Sequence, residues 1–237
     1  YLTSKEIKRW IFIRRRKNMI STSSHNDWQS DKYRTYSISG NRGKDANYQG
    51  KCYPELAPKL SFWKVWHNNI GKISEEENNR YYVQEYWNQV LSKLDPEKVF
   101  RDLDYSVLLC YEPNTEFCHR HIVAAWFEIL LGVKVPELKA KDYQIEETDR
   151  PEYIKKYLED AMRLNRNMRG FKSLRALYLF EKGEKLEAKA DELEEKTGKC
   201  YDGYRQTACF LRCDADMAED EYRELQNQKK LIKTQNK

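Results

Sequence analysis

The sequence predicts an α/β fold: a small, mostly parallel sheet with flanking helices, followed by an all-helical extension. Three observations predict it. The run Tyr105-Ser106-Val107-Leu108-Leu109-Cys110 is apolar without alternation, as expected of a strand covered on both faces. A turn, Tyr111-Glu112-Pro113-Asn114-Thr115, separates it from Ile122, Val123, Trp126, Ile129 and Leu130 at helical spacing, closed by Gly132 as a C-terminal cap. Strand, turn and covered helix are half of a βαβ unit. Beyond about residue 140, Ala, Leu, Glu, Lys and Arg dominate and no strand signal appears.

The other elements follow in order. Residues 19–24 and 33–39 carry the β-branched and aromatic content of short strands. Ser39-Gly40-Asn41-Arg42-Gly43-Lys44 is a loop. Residues 58–67 predict a helix with Leu60, Trp63 and His67 on its apolar stripe, and residues 79–94 a second with Tyr82, Tyr86, Val90 and Leu94. Asp95-Pro96 then starts a short helix, Asp95 as N-cap and Pro96 in the first turn. Residues 151–168, 171–196, 204–213 and 216–232 all predict helices, and 227–237 is a polar, fraying end.

Three segments result: a basic leader over 1–18, an α/β domain over 19–145 and a helical extension over 146–237. The leader carries seven Lys/Arg against one acid, so the rest of the chain sums to −1 although the whole is +5. Attraction to nucleic acid must therefore come from a local patch. The leader ends in Arg14-Arg15-Arg16-Lys17-Asn18 before Met19, as translation of a purine-rich bacterial or phage ribosome-binding site would read. It is expected to be non-native, the alternative being a basic arm for nucleic acid.

Composition bounds the rest. Apolar residues are 40% of the chain and charged residues 34%, with 17 tyrosines, so an ordered, partly aromatic core is expected. No apolar run approaches a membrane span. The six cysteines lack a signal peptide ahead of them and are expected as free thiols in a reducing, cytoplasmic compartment.

The candidate chemistry sits where the buried strand hands over to the helix, because ligands of open α/β sheets bind at the carboxyl ends of strands. With Asn114 or Thr115 as cap, Cys118 falls in the first helical turn, where the helix dipole lowers a thiol pKa and favours anions. Arg120 adds a charge suited to phosphate. His121 shares a face with Cys118, and Glu112 or His119 would act as acid or base. The ordinary alternative is a small buried cysteine with His119 and Arg120 capping carbonyls or facing water. The spacing of cysteine phosphatases, five residues between cysteine and arginine, is absent. Cys110, Cys118, His119 and His121 are metal-ligand types, as are Cys200, Cys209 and Cys213, but no C-x-x-C pair supports a structural zinc, so no metal is expected. Nothing identifies a cofactor. Arg163, Arg166, Arg169 and Arg175 form a basic stripe whose acidic neighbours point to a solvated face.

Tyr36-Ser37-Ile38-Ser39, Tyr53-Pro54-Glu55-Leu56-Ala57-Pro58-Lys59, Leu108-Leu109-Cys110-Tyr111-Glu112-Pro113 and Phe117-Cys118-His119-Arg120-His121-Ile122-Val123-Ala124, in this order, resemble one family. It is the group described as domain of unknown function 488, over about residues 19–140. The resemblance implies a Rossmann-like sheet with a pocket near these motifs, and no established activity. It puts Ser39, Lys59, Cys110, Glu112, Cys118, His119 and Arg120 at matching positions and implies that several converge on one cleft. Catalytic roles then fall to Cys118, His119 and Glu112, and ligand contacts to Arg120, Ser39, Lys59 and Cys110.

Two functions follow. One is binding or processing of a nucleotide or nucleic-acid-derived phosphate ligand at the Cys118-His119-Arg120 helix start. The alternative is a non-enzymatic module that docks a protein or nucleic acid through the helical extension.

Overall fold

The structure, a computed structural model, describes residues 20–141, 144–164 and 166–235. The expectation for the leader lies outside the described residues. The chain forms two compact units that divide between residues 164 and 165.

The first unit is built on a six-stranded sheet. Its strands are β1 (Ser21–Ser24), β2 (Arg34–Ser37), β3 (Lys51–Cys52), β4 (Ser106–Cys110), β5 (Glu137–Lys141) and β6 (Gln144–Thr148), in the order β3-β2-β4-β1-β5-β6. All neighbours run parallel except the β5–β6 pair. β4 lies between β1 and β2, with Ser24 opposite Cys110 and Ser37 opposite Leu109. That central place explains its apolar run: every residue of β4 is buried. The parallel order also brings the ends Ser24, Ser37, Cys52 and Cys110 to one edge of the sheet.

The strands are joined and covered by α1 (Leu60–Asn69), α2 (Glu75–Gln89), α3 (Pro96–Asp102), α4 (His119–Leu131) and α5 (Tyr153–Arg163). Asp95 caps α3, accepting from the amides of Glu97 and Lys98, and Pro96 opens it. Gly132 closes α4 at φ 66°, a left-handed conformation that glycine adopts without steric cost. Val107 and Leu109 face Trp28 and Ala140 on one side of the sheet. On the other, Phe62, Tyr82 and Phe117 pack edge-on, with ring centroids 5.1 and 5.3 Å from Tyr82.

Four expectations change. The stripe Leu60, Trp63, His67 faces outward, Leu60 being 60% exposed, and Phe62 carries α1 into the core. The second helix begins at Glu75, capped by Ser74, and gives way to a 3₁₀ turn at Leu91–Lys93. β5 and β6 pair antiparallel although their Glu- and Lys-rich sequence is poor in strand formers; tertiary pairing to β1 overrides propensity there. The α/β unit therefore runs to residue 164 instead of ending near 145, because α5 packs on α2 and α4.

The second unit is a helical hairpin of α6 (Leu174–Thr197) and α7 (Asp202–Gln235). The two helices expected over 204–213 and 216–232 are one, since no glycine or proline interrupts 204–235. Ala176, Leu179, Leu211, Ala215 and Ala218 form its core. The small Gly183 lets the helices approach, a Cβ there lying 3.1 Å from the Ala208 carbonyl oxygen. Three of the four arginines of the basic stripe pair with acids: Arg166 meets Glu181 at 2.6 Å, Arg175 meets Glu221 at 3.5 Å, and Arg169 pairs with Glu184. No helix among the described residues is long and apolar enough to cross a membrane.

Candidate functional site

The handover from β4 to α4 differs from expectation in one respect. A turn closed by Glu116 N donating to Pro113 O, 3.1 Å, delays the helix, so Cys118 is its N-cap and not a member of its first turn. The Cys118 backbone is extended and its side chain caps nothing. That frees the thiol to turn back toward the strand end.

There it meets Cys110 and Glu112. The Cys118 and Cys110 thiols both donate to Glu112 Oε2, at 2.8 and 3.3 Å. His119 Nδ1 lies 3.5 Å from Cys110 Sγ and 3.9 Å from Cys118 Sγ. The other ring nitrogen, Nε2, is 2.9 Å from the Ile38 carbonyl oxygen, which can only accept, so Nε2 carries the proton. Both sulfurs and the imidazole are buried under Tyr82, Tyr86 and Phe117, the Tyr86 ring lying 5.8 Å from His119.

Burial pushes the Cys118 thiol up, but a hydrogen bond from Cys110 and the charges of Arg120 and His119 outweigh it and hold the thiol well below its usual range. Cys110 is raised, by burial first and then by Cys118 and Glu112. Glu112 is pushed up to about 7, by burial and then by Cys118. For His119 burial lowers the pKa, but Cys118 and Glu112 outweigh it and the net direction is up.

Arg120 does not reach a ligand. Its side chain is fully buried, with Nε 3.0 Å from Glu137 Oε1, also fully buried. His121 Nε2 approaches Glu137 Oε2 at 3.3 Å, and Thr22 donates to that same oxygen. The Asn114 amide, with its NH₂ directed to Glu137 Oε1 at 2.9 Å and its oxygen accepting from Thr148 Oγ1 at 2.9 Å, completes the group. Arg120 therefore pins α4 to β5 and lends Cys118 its charge from behind.

Ser39 shapes the loop after β2. Its hydroxyl accepts from Gly43 N at 2.8 Å, lies 2.9 Å from Ser37 Oγ, and donates to Asn41 Oδ1 at 3.2 Å. Lys59 is not brought to the cluster; it is the exposed N-cap of α1. Ser39, Cys110, Glu112, Cys118, His119 and Arg120 do gather at the carboxyl edge.

Sequence reasoning missed His25 and Glu137. His25 follows β1; its ring is 5.1 Å from both Tyr48 and Tyr111, with Nε2 3.4 Å from Ser37 Oγ. Burial and then the Arg120 charge lower its pKa. A lone histidine after a strand gave no spacing signal, and Glu137 sat in a segment that reads as surface.

Beside this cluster opens a cleft of about 400 Å³, lined by Arg42, Lys44, Asn47, Tyr48, Gly50 and Cys52 among others, none of them acidic. Arg42 and Asn47 take left-handed backbone angles, φ 62° and 52°, costing roughly 1 kcal/mol each. His25 contacts Tyr48 of the cleft and also Tyr111, the chain neighbour of Cys110 and Glu112, and Tyr111 donates to Asn41 Oδ1.

Residues 12–129 match the family model described as DUF488-N3a: Active DUF488-N3 subclade. No curated protein matches the chain, and no solved structure matches it.

Proposed function

We propose, from a chain that resembles the domain of unknown function 488 family over residues 12–129, that the carboxyl edge of its sheet binds a phosphate-bearing ligand of nucleotide type. The phosphate sits on Arg42 and Lys44, and the base lies against Tyr48. The observation that carries the reading is the cleft itself. Two cations without an acidic partner among the described residues line it, together with one aromatic ring, at the end of a parallel strand. The strained Arg42 backbone agrees with a loop shaped for a ligand.

This moves the phosphate contact from Arg120 to the mouth of the site, because Arg120 is fully buried against Glu137. The cluster of Cys110, Glu112, Cys118 and His119, linked to the cleft through the His25 contacts with Tyr48 and Tyr111, is where chemistry on the bound ligand would be carried. The word active in the family description supports a working centre. The six free thiols agree with a reducing, cytoplasmic setting.

A thermal-shift screen of ribonucleotides and inorganic phosphate tests the reading. A ligand-dependent rise in melting temperature that Arg42→Ala and Lys44→Ala both reduce supports it. No shift with any phosphate compound overturns it.

The second reading, a module docking a protein partner through the helical extension, has its own support. Phe210, Met217, Leu225 and Ile232 are exposed on α7 at spacings near seven residues, one face of the helix. Sedimentation of the wild type against Phe210→Glu decides it: unchanged association would exclude this face.

A further inference from the structure

We propose that Cys110, Cys118 and His119 together hold a zinc ion. The three residues come from a strand end and a helix start, and the fold brings one ligand atom of each to within 4.8 Å of the others. A tetrahedral zinc with bonds of about 2.3 Å to sulfur and about 2.0 Å to nitrogen sets its S···N edges at about 3.5 Å. The two S···Nδ1 separations here are 3.5 and 3.9 Å. Cys110 Sγ is also 3.9 Å from His119 Nε2, so it stands beside the ring and swings toward the Nδ1 side when the ion binds.

The imidazole is prepared for the role. Its Nε2 is held by the Ile38 carbonyl oxygen at 2.9 Å, which leaves Nδ1 without a proton, 3.5 and 3.9 Å from the two sulfurs. A ligating histidine commonly has its second nitrogen fixed in this way, and the fixation sets both tautomer and ring orientation. Charge also fits. Two thiolates and a neutral imidazole around a dication sum to zero, which suits groups only 2%, 2% and 5% exposed. Soft sulfur with imidazole selects zinc over the oxygen-seeking magnesium and calcium.

Glu112 lies beside the two sulfurs, its Oε2 at 2.8 and 3.3 Å from them. Three protein ligands leave a tetrahedral zinc one further position, for water or for a carboxylate such as that of Glu112. The spacing hid all this. Cys110 and Cys118 are eight residues apart with a proline turn between them, and the third ligand adjoins the second, so no paired motif is visible in the sequence. The proposal does not depend on nucleotide binding at Arg42 and Lys44.

The test uses the full chain, purified anaerobically with a non-thiol reductant and passed over a chelating column to strip surface metal. Metal analysis is expected to give one zinc per chain. Replacement by cobalt is expected to give the intense visible bands of a tetrahedral site and a thiolate-to-cobalt charge-transfer band. Cys118→Ser and His119→Ala are expected to weaken zinc retention roughly tenfold or more, while Cys209→Ser on α7 leaves it unchanged. A reduced wild type that takes up neither zinc nor cobalt overturns the proposal. So does bound cobalt without the thiolate band, a readout that stands even where a variant fails to fold.

Discussion

Arg120 and Glu137 meet at 3.0 Å with neither side chain exposed, one from the first turn of α4 and the other from the start of β5. A buried ion pair is costly to assemble and more costly to halve, because the surviving charge has no solvent. Glu137→Gln and Arg120→Met are each expected to destabilise the α/β unit by about 3–5 kcal/mol. Arg120→Lys recovers only part, since an ammonium lacks the Nε donor geometry. Urea denaturation checks it; a loss under 1 kcal/mol would mean that solvent reaches the pair.

The same carboxylate gives stability a pH dependence. Burial alone would raise the Glu137 pKa, but the contacts of His121, Arg120 and Thr22 outweigh it and the net direction is down. The folded state therefore holds the ionised form better than the unfolded chain does. The stabilisation is fully present above the ordinary carboxylate pKa and is lost as pH falls through the folded value. Unfolding free energy measured downward from neutral pH should drop more steeply for the wild type than for Glu137→Gln. Parallel curves would assign the acid sensitivity elsewhere.

Gly50 meets the Tyr48 ring so closely that a Cβ would lie 2.2 Å from the hydroxyl oxygen. That hydroxyl is tied to Thr35 Oγ1 at 2.9 Å and to the Lys51 carbonyl at 3.1 Å. Gly50→Ala is thus expected to expel the Tyr48 ring from its place, costing about 1–3 kcal/mol as in other overpacked sites. With the cleft wall displaced, nucleotide-induced thermal stabilisation should vanish while circular dichroism stays that of the wild type. Retained stabilisation would show that Tyr48 is no part of the ligand site.

Glu219 holds the helical unit at its open end, its carboxylate accepting from Lys172 N and Ser173 N at the start of α6. Glu219→Ala leaves buried amides unpaired and is expected to cost about 1–3 kcal/mol. The loss should appear as faster amide exchange in α6 and α7, with the α/β unit unaffected. Equal acceleration in β4 would show that the two units unfold together.

The parts legible in the sequence are those where one local signal and the tertiary environment agree. The unbroken apolar run of β4, the Asp95-Pro96 helix start and Gly132 each carry a local rule that the fold keeps. Cys110, Glu112, Cys118 and His119 were legible as a set because strand and helix bring their chain neighbourhoods together. What was not legible depends on partners far along the chain. Arg120 looks like a surface cation until Glu137 arrives from a strand whose own residues read as surface. His25 joins the site only because β1 pairs with β4. The stripe Leu60, Trp63, His67 has helical spacing, yet Phe62 is the residue that α2 covers, through Tyr82 and Tyr86.

Calorimetric titration of ribonucleotides into the wild type and the Arg42→Ala/Lys44→Ala double variant, at low and high salt, tests the functional account most directly. Each lost charge-assisted contact is worth about 1.5–3 kcal/mol, so the double variant should bind at least roughly tenfold more weakly, and wild-type affinity should fall as salt rises. Wild-type binding that both the double variant and high salt leave unchanged would place the ligand elsewhere and contradict the account.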